Sequence, residues 1–405
     1  MRLRRGRTPA GRPEGDERGE HRARRADRDT LALSTLAVLF ASALGLSSVA
    51  LPLRALDAGH GAGIIGLLVA LSAFVQIVTR SRLGAVMRRV PDSVLLAFAP
   101  VALALCFAVV LASPSVASLA VGWVLLALAR ACFWTAGQTH AVRGRSSSLR
   151  GMARLNFWGS LGALVGPVLA GVLAESGIET ALVTGIALAG LGIAPSLALE
   201  RYPPFAKRQA KAKGAIWRRP GVDAACYSGA TAGAWRGLMD GYVPVVLEAA
   251  RHSSTTIGAL VSVANATSVV GTVVIGKLRA SWTAPTFVLS TLAAGLGLAV
   301  LGYVSGSVPV AALALGLSGL GAGVIQTLGP ALAATSVGEQ EKGEVMAAYG
   351  TVRTSAMFLA PLAVAGGIVV VPIPLALLIV GAGLALPSFA VGSLKRVPAP
   401  APTAS

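Results

Sequence analysis

Only 13% of this 405-residue chain is charged, so the side chains able to do chemistry are few, and three stand where charge is least at home. Arg236 and Asp240 are one helical turn apart, so they share a face and can pair. Arg130 lies in the apolar run LALARACFWTAG, near mid-depth of its segment when about 1.5 Å is counted per residue from Val116. An arginine at that depth costs at least roughly 2.5–3.5 kcal/mol on insertion scales, so it must face an interior or a cavity and find a partner. Asp240 is the one acidic residue well inside any apolar segment. A carboxylate withdrawn from water can load and release a proton near neutral pH. Asp240, Arg236 and Arg130 therefore form the candidate proton-coupling set; the competing reading is a permanent ion pair that latches the structure.

Gln76, Gln138, Asn156, Asn265, Gln326 and Arg353 are polar positions in other apolar segments, each costly against lipid. They serve either as interhelical glue, worth about 0.6 kcal/mol apiece, or, with Trp134, Trp158 and Trp235, as the lining of a cavity for an amphipathic ligand. His140, at the end of its segment, reads as a solvated histidine. The chain has no G-x-x-x-x-G-K-[ST] phosphate loop, so direct ATP hydrolysis is not expected. It has no H-E-x-x-H and no convincing Ser/His triad. Cys106, Cys132 and Cys226 show neither metal spacing nor a disulfide framework. No enzyme activity, metal or cofactor is expected.

The elements that must hold these residues follow from composition. A soluble protein is about a quarter charged, whereas this chain is 54% hydrophobic with mean hydropathy +0.71, so most of it must face a lipid bilayer. The net charge of +18 would point to nucleic acid in a soluble protein. Here the basic residues fall in short gaps between apolar runs, and nucleic acid is not an expected partner. Residues 1–29 are arginine-rich and almost devoid of large apolar residues, the composition of a disordered tail and not of a secretory signal; 396–405 form a second tail. Between them lie twelve segments of about 20 residues, the length that crosses roughly 30 Å of hydrocarbon: Thr30–Leu53, Ala62–Arg82, Ser93–Ala112, Val116–Thr139, Met152–Leu173, Ala181–Leu199, Val222–Leu247, Ile257–Leu278, Ala284–Tyr303, Val308–Ala334, Val345–Val370 and Ile373–Leu394.

Lys and Arg stay on the cytoplasmic side. They crowd the even-numbered turns, as in Arg82, Arg88 and Arg89, or Arg143, Arg145 and Arg150, and are scarce in the odd ones, so both termini are expected in the cytoplasm. The tenth turn, with Glu339, Glu341, Lys342 and Glu344, breaks the trend. The chain also repeats itself. Pro52 and Pro244, Gly66 and Gly258, and Gly84 and Gly276 share an offset of 192, while Met152 and Met346, and Pro167 and Pro361, share 194. Six spans are duplicated, giving bundles over 30–200 and 221–395 joined by the basic loop 201–220.

The most specific stretch is Gly159–Gly171, GSLGALVGPVLAG. Glycine and proline cost roughly 1 and 3 kcal/mol against alanine in a helix in water, yet in a bilayer the backbone has no other partners and stays helical. Gly159, Gly162, Gly166 and Gly171 then offer a bare surface for a neighbouring helix, and Pro167 removes one amide. Gly162-Ala-Leu-Val-Gly166-Pro167-Val-Leu-Ala-Gly171 resembles the G-x-x-x-G-P-x-x-G-G signature in the fifth span of major facilitator superfamily drug/proton antiporters, with Ala170 at the penultimate glycine. Arg130 resembles the arginine of the superfamily's span-four R-x-x-x-G motif, with Trp134 at the glycine. The turn after span two resembles the family's G-x-L-a-D-R-x-G-R-R at Gly84 and Arg89, but Arg88 stands at the aspartate and Pro91 at a glycine. Asp92, or Glu341 and Glu344, are expected to compensate by pairing with these arginines, and the second-half copy, Gly276-Lys277-Leu278-Arg279, is equally degenerate.

The resemblance implies an all-α integral membrane protein with twelve transmembrane helices in two bundles, multi-pass in a bacterial inner or plasma membrane and monomeric. It implies a proton-coupled exporter of a small hydrophobic or amphipathic compound, in which Arg130 takes part in proton transfer and span five contacts the opposite half. The alternatives are an uptake carrier or facilitator for a small polar metabolite on the same scaffold, and a membrane scaffold or sensor whose basic tail and central loop bind partners or anionic lipid.

Overall fold

The computed structural model describes residues 14–143, 148–204, 219, 221–275, 282–337 and 341–390. Its helices are α1 (Glu14–Asp57), α2 (Ala62–Val86), α3 (Asp92–Ala112), α4 (Val116–Arg143), α5 (Ser148–Ala174) and α6 (Ile178–Leu197, interrupted at Gly192). There follow α7 (Val222–Ala249), α8 (Ser254–Ile275), α9 (Thr283–Val304), α10 (Val308–Thr335), α11 (Lys342–Gly367) and α12 (Ile373–Ala385), the last running into a 3-10 turn, Leu386–Ala390. No strand occurs among the described residues. The backbone is already helical from Glu14, so 14–29 are not the structureless segment the composition leads one to expect, while 1–13 and 391–405 lie outside the described residues.

Among the described residues nine helices are long and apolar enough to cross a membrane, and α12 is a shorter apolar one. The sequence reading of twelve crossings also counts α7 and α11. These two carry Arg236, Asp240 and Arg353, and α7 is buried along nearly its whole length. A helix enclosed by other helices has no need of the uniformly apolar surface that lipid demands.

Within the first six helices the main packings are α1 with α5, α2 with α4, and α3 with both α4 and α6. Adding six to each number gives the main packings of the second set: α7 with α11, α8 with α10, and α9 with α10 and α12. The two sets meet chiefly through α5 against α8 and α2 against α11, a pair of contacts that exchange under the same operation, as a pseudo-two-fold axis requires. Detail repeats too. A methyl group at Gly45 would lie 3.0 Å from the Pro167 ring, and one at Gly237 would lie 3.0 Å from the Pro361 ring. His60 Nε2 meets the Pro114 carbonyl oxygen and His252 Nε2 that of Ser305, at 2.8 and 2.5 Å. Beside each histidine the chain turns through a left-handed residue, Gly59 at φ 80° and Arg251 at φ 61°.

The turns poor in Lys and Arg gather at one end of the bundle, here the sparse end, and the basic turns at the other. Among the described residues, the side-chain contacts joining the two sets run from mid-depth to the sparse end. There Gly171 lies against Ser254, Thr255 and Gly258, Gly66 against Tyr242 and Ala365, and Gly241 against Val69. The Glu175 carboxylate accepts the Thr255 backbone N–H at 3.3 Å.

Candidate functional site

The site is built around Asp240. α7 carries Arg236 one turn earlier, and its Nη2 and Nε reach the Asp240 carboxylate at 2.9 and 3.3 Å. From the other set of six, Arg130 of α4 donates through Nη1 to Oδ2 at 2.6 Å. Both ends of this cross-bundle pair are deeply buried, their side chains 8% and 9% exposed. The two charges needed partners for the same reason, and each supplies the other's. Arg236 extends the chain with Nη1 to Asn265 Oδ1 at 3.4 Å, and Asn265 Nδ2 donates to the Ala163 carbonyl of α5 at 3.3 Å. Beside it Ser262 donates to the Leu164 carbonyl at 2.9 Å. One polar thread thus leaves the first set at α4, crosses α7 and α8, and returns to it at α5.

Arg130 and Asp240 line a narrow cavity together with Ser47, Ser48, Ser72, Trp123 and Met357. Ser48 is the residue that the 192 offset pairs with Asp240, so only one copy of the repeat brings a carboxylate to this wall.

The other cavity candidates divide. Gln76 is 1% exposed, with its amide nitrogen unpartnered among the described residues. Gln326 Oε1 accepts from Arg353 Nη2 at 3.1 Å. Trp235 is buried inside the second set, its indole donating to Ser318 at 2.9 Å, where it braces α7 against α10 away from the Arg130–Asp240 cavity. Trp134 covers Gly159 and meets Phe133 edge-on. Trp158 packs on Phe157, whereas Gln138 and Asn156 are exposed.

The span-five glycines serve two neighbours. A methyl group at Gly162 would fall 2.5 Å from the Val38 carbonyl oxygen, and one at Gly166 would fall 2.6 Å from the Leu46 nitrogen. These two glycines therefore seat α5 on α1 of its own set. Pro167 and Gly171, farther along, meet Gly258 of α8 in the other set.

Asp92 does not pair with Arg88 or Arg89. Its Oδ1 accepts the Ser93 N–H at 2.9 Å at the start of α3, and its Oδ2 faces His140 Nδ1 and Arg143 Nη1, both at 3.5 Å. Arg88 instead donates to the Gly84 carbonyl of its own helix at 3.1 Å and is exposed, as is Arg89. Glu341 binds Arg219 with two bonds of 2.6 and 3.0 Å. The second-half turn, 276–279, lies outside the described residues, as does most of 201–220.

His140 is not solvated. It is fully buried between Asp92 and Asp29, whose carboxylate oxygens are 3.2 Å from Nε2. Asp29 also accepts the Glu200 N–H at 2.7 Å, and Arg143 lies over the Tyr202 ring at 5.2 Å. Burial first, then the charges of Asp29 and Glu200, push the Tyr202 phenol up to about 12, so it stays neutral. This clasp ties α1, α3 and α4 to the segment after α6 at the basic end. Nothing in the local sequence of His140 announces it, because both partners come from other helices. No group of three or more His, Cys, Asp or Glu able to hold a metal is found among the described residues.

Two six-helix sets related by a pseudo-two-fold axis, with a buried ion pair where they meet, define a polytopic membrane transporter. The chain belongs to the Major Facilitator Superfamily, whose family model matches residues 32–361. No curated protein matches it in sequence. Among solved structures it is similar to an inward-facing, unoccupied bacterial homolog of the human lysosomal transporter Spinster, with a TM-score of 0.70 and 13% identity over 93% of this chain and 99% of that one. It is also similar to the nucleoside transporter NupG, with a TM-score of 0.72 and 13% identity over 90% and 98%. A third is a POT family transporter in complex with a thioalcohol-conjugated peptide, with a TM-score of 0.74 and 11% identity over 91% and 96%. At such identities the likeness establishes the fold.

Proposed function

We propose that this transporter is a proton-coupled exporter working by alternating access, with 30–200 and 221–395 as the two units that rock against each other and twelve crossings of a bacterial plasma membrane. The observation that carries the reading is the Arg130–Asp240 pair, one buried bond between the units. In the closed contact the Asp240 carboxylate lies between two guanidinium groups; protonation removes the charge on which both rely and releases the units from each other. With the basic end in the cytoplasm, the contacts at the sparse end describe a state closed to the outside. Export, and kinship with the drug/proton antiporters, rest on the Gly162–Gly171 spelling, whose last glycine lies in the inter-unit contact. The protein is read as a monomer, since both units of the cavity belong to one chain.

A second reading, uptake of a small polar metabolite, draws support from Arg88, which stands where the antiporters place an aspartate and donates to the end of α2 at Gly84. Inverted vesicles with an acid interior should load substrate if the protein exports. Accumulation in right-side-out cells, with no loading of inverted vesicles, would favour uptake. Asp240→Asn should abolish the proton dependence of flux. If flux keeps its pH dependence in Asp240→Asn while Arg130→Ala abolishes it, Asp240 is not the coupling carboxylate.

A further inference from the structure

The interior between the two sets is unbalanced in charge. Among the described residues Asp240 is the one carboxylate at this depth, against four arginines: Arg80 of α2, Arg130, Arg236 and Arg353. Asp240 answers Arg130 and Arg236. Arg353 has one neutral partner, the Gln326 amide oxygen. Arg80, in the first set, is within electrostatic range of both Arg353 and Arg130, and its buried Nε has no partner among the described residues. Arg130 Nε and Gln76 Nε2 are buried and unpartnered as well, although Arg130 is only 7% exposed and Gln76 only 1%. Gln76 and Arg80 stand one turn apart on α2 and share its face.

The unpartnered buried nitrogens of Arg80, Arg130 and Gln76 are all donors, the buried acceptor beside them, Asp240 Oδ1, already faces Arg236 Nη2 at 2.9 Å, and Arg353 adds a guanidinium from the other set of helices. Guanidinium groups crowded in a low-dielectric interior repel one another and are each expensive to keep there without a counter-charge. A fixed surplus of planar, bidentate donors matches carboxylate or phosphate oxygens. An uncharged solute, one form of the hydrophobic or amphipathic compound expected from the sequence, would leave every one of these donors unsatisfied.

We propose that the substrate is a small organic anion whose carboxylate or phosphate is bound between Arg80 and Arg353, with Gln76 and Arg130 completing the donor set. This rests on the transport reading above and names the class of molecule taken by the interior beside the Arg130–Asp240 bond. Because Arg80 and Arg353 belong to different units, the anion draws the two together at a level nearer the basic end than the Arg130–Asp240 bond.

The test is equilibrium binding to the purified full-length protein in lipid nanodiscs. The probes are a panel of monocarboxylates, dicarboxylates and phosphate monoesters, each beside its uncharged amide or alcohol, followed by thermal shift and calorimetry. At least one anion should bind and its uncharged mate should not, with affinity falling about tenfold for each of Arg80→Gln and Arg353→Gln. Arg353→Lys, which keeps the charge, should retain the preference for the anion over its mate. Equal binding of charged and uncharged mates, no binding by any anion, or unchanged anion affinity in the Arg80→Gln, Arg353→Gln double variant would each overturn the proposal. Anion binding without proton-linked flux would sink the transport mechanism and leave this inference standing. Proton-linked flux of an uncharged solute with no anion bound would do the reverse.

Discussion

At the scale of single residues, the chain keeps its interior charges by assembling partners from far apart. Removing one member of a buried pair leaves the other uncompensated, which costs about 3–5 kcal/mol. Asp240→Ala strands two arginines and should lower thermal stability by that order; Asp240→Asn, still able to accept a hydrogen bond, should lose less. His140→Leu leaves the Asp29 carboxylate without its imidazole partner and Asp92 with Arg143 alone, with a loss of similar size. The added change Asp92→Asn should recover part of it, read as the melting temperature of the single and double variants. The Arg236–Asp240 bond was legible in the sequence because a helical turn fixes it. The Arg130–Asp240 bond was not: cost arguments say that each needs a partner, but nothing local chooses one 110 residues away. His140 was misread for a related reason, since the polar stretch around it, TAGQTHAVRGR, does not show that α1 and α3 converge there.

At the scale of helices, glycine placement separates packing within a set from packing between sets. Gly162→Val would drive a side chain into the α1 backbone, costing about 1–3 kcal/mol and showing as poor folding in detergent. Gly171→Val meets α8 instead, so the protein should fold while the sparse-end contact loosens, seen as a longer distance between spin labels at Val172 and Arg251. The same label pair reports on Glu175. Hydrogen bonds from Thr255 and Ser253 hold its carboxyl below the usual carboxylate value, beside the N-terminal end of α8 where a negative charge is favoured. A lowered value means that the contact is fully present above the ordinary carboxylate range and is lost as pH falls through the depressed one. The label distance should hold through mild acid and lengthen only below it, and Glu175→Gln should erase that dependence. The duplicated helices were legible from paired prolines and glycines at fixed offsets. The matched histidine bonds at His60 and His252 share the 192 offset and could have been found by extending the same comparison.

At the scale of the whole molecule, the fold asks for one motion. Labels at Phe157 and Val270, exposed on α5 and α8 toward the basic end, should move opposite to the Val172 and Arg251 pair: when one distance shortens on binding, the other lengthens. If both move together, the two sets do not rock as units. The architecture was legible because hydropathy and repeats are properties of long stretches. The division of labour among its helices was not, since the polar residues of α7 make sense only once it is seen to be buried along nearly its whole length.

The buried bond from Arg130 to Asp240 also determines what the carrier does when nothing is there to carry. Separating those two ions while both stay charged would expose each to a medium that cannot solvate it, so an idle protein should be held shut. Such an interlock keeps an unloaded carrier from changing state, and a variant with both charges neutralised should sample both sets of label distances in the absence of any cargo.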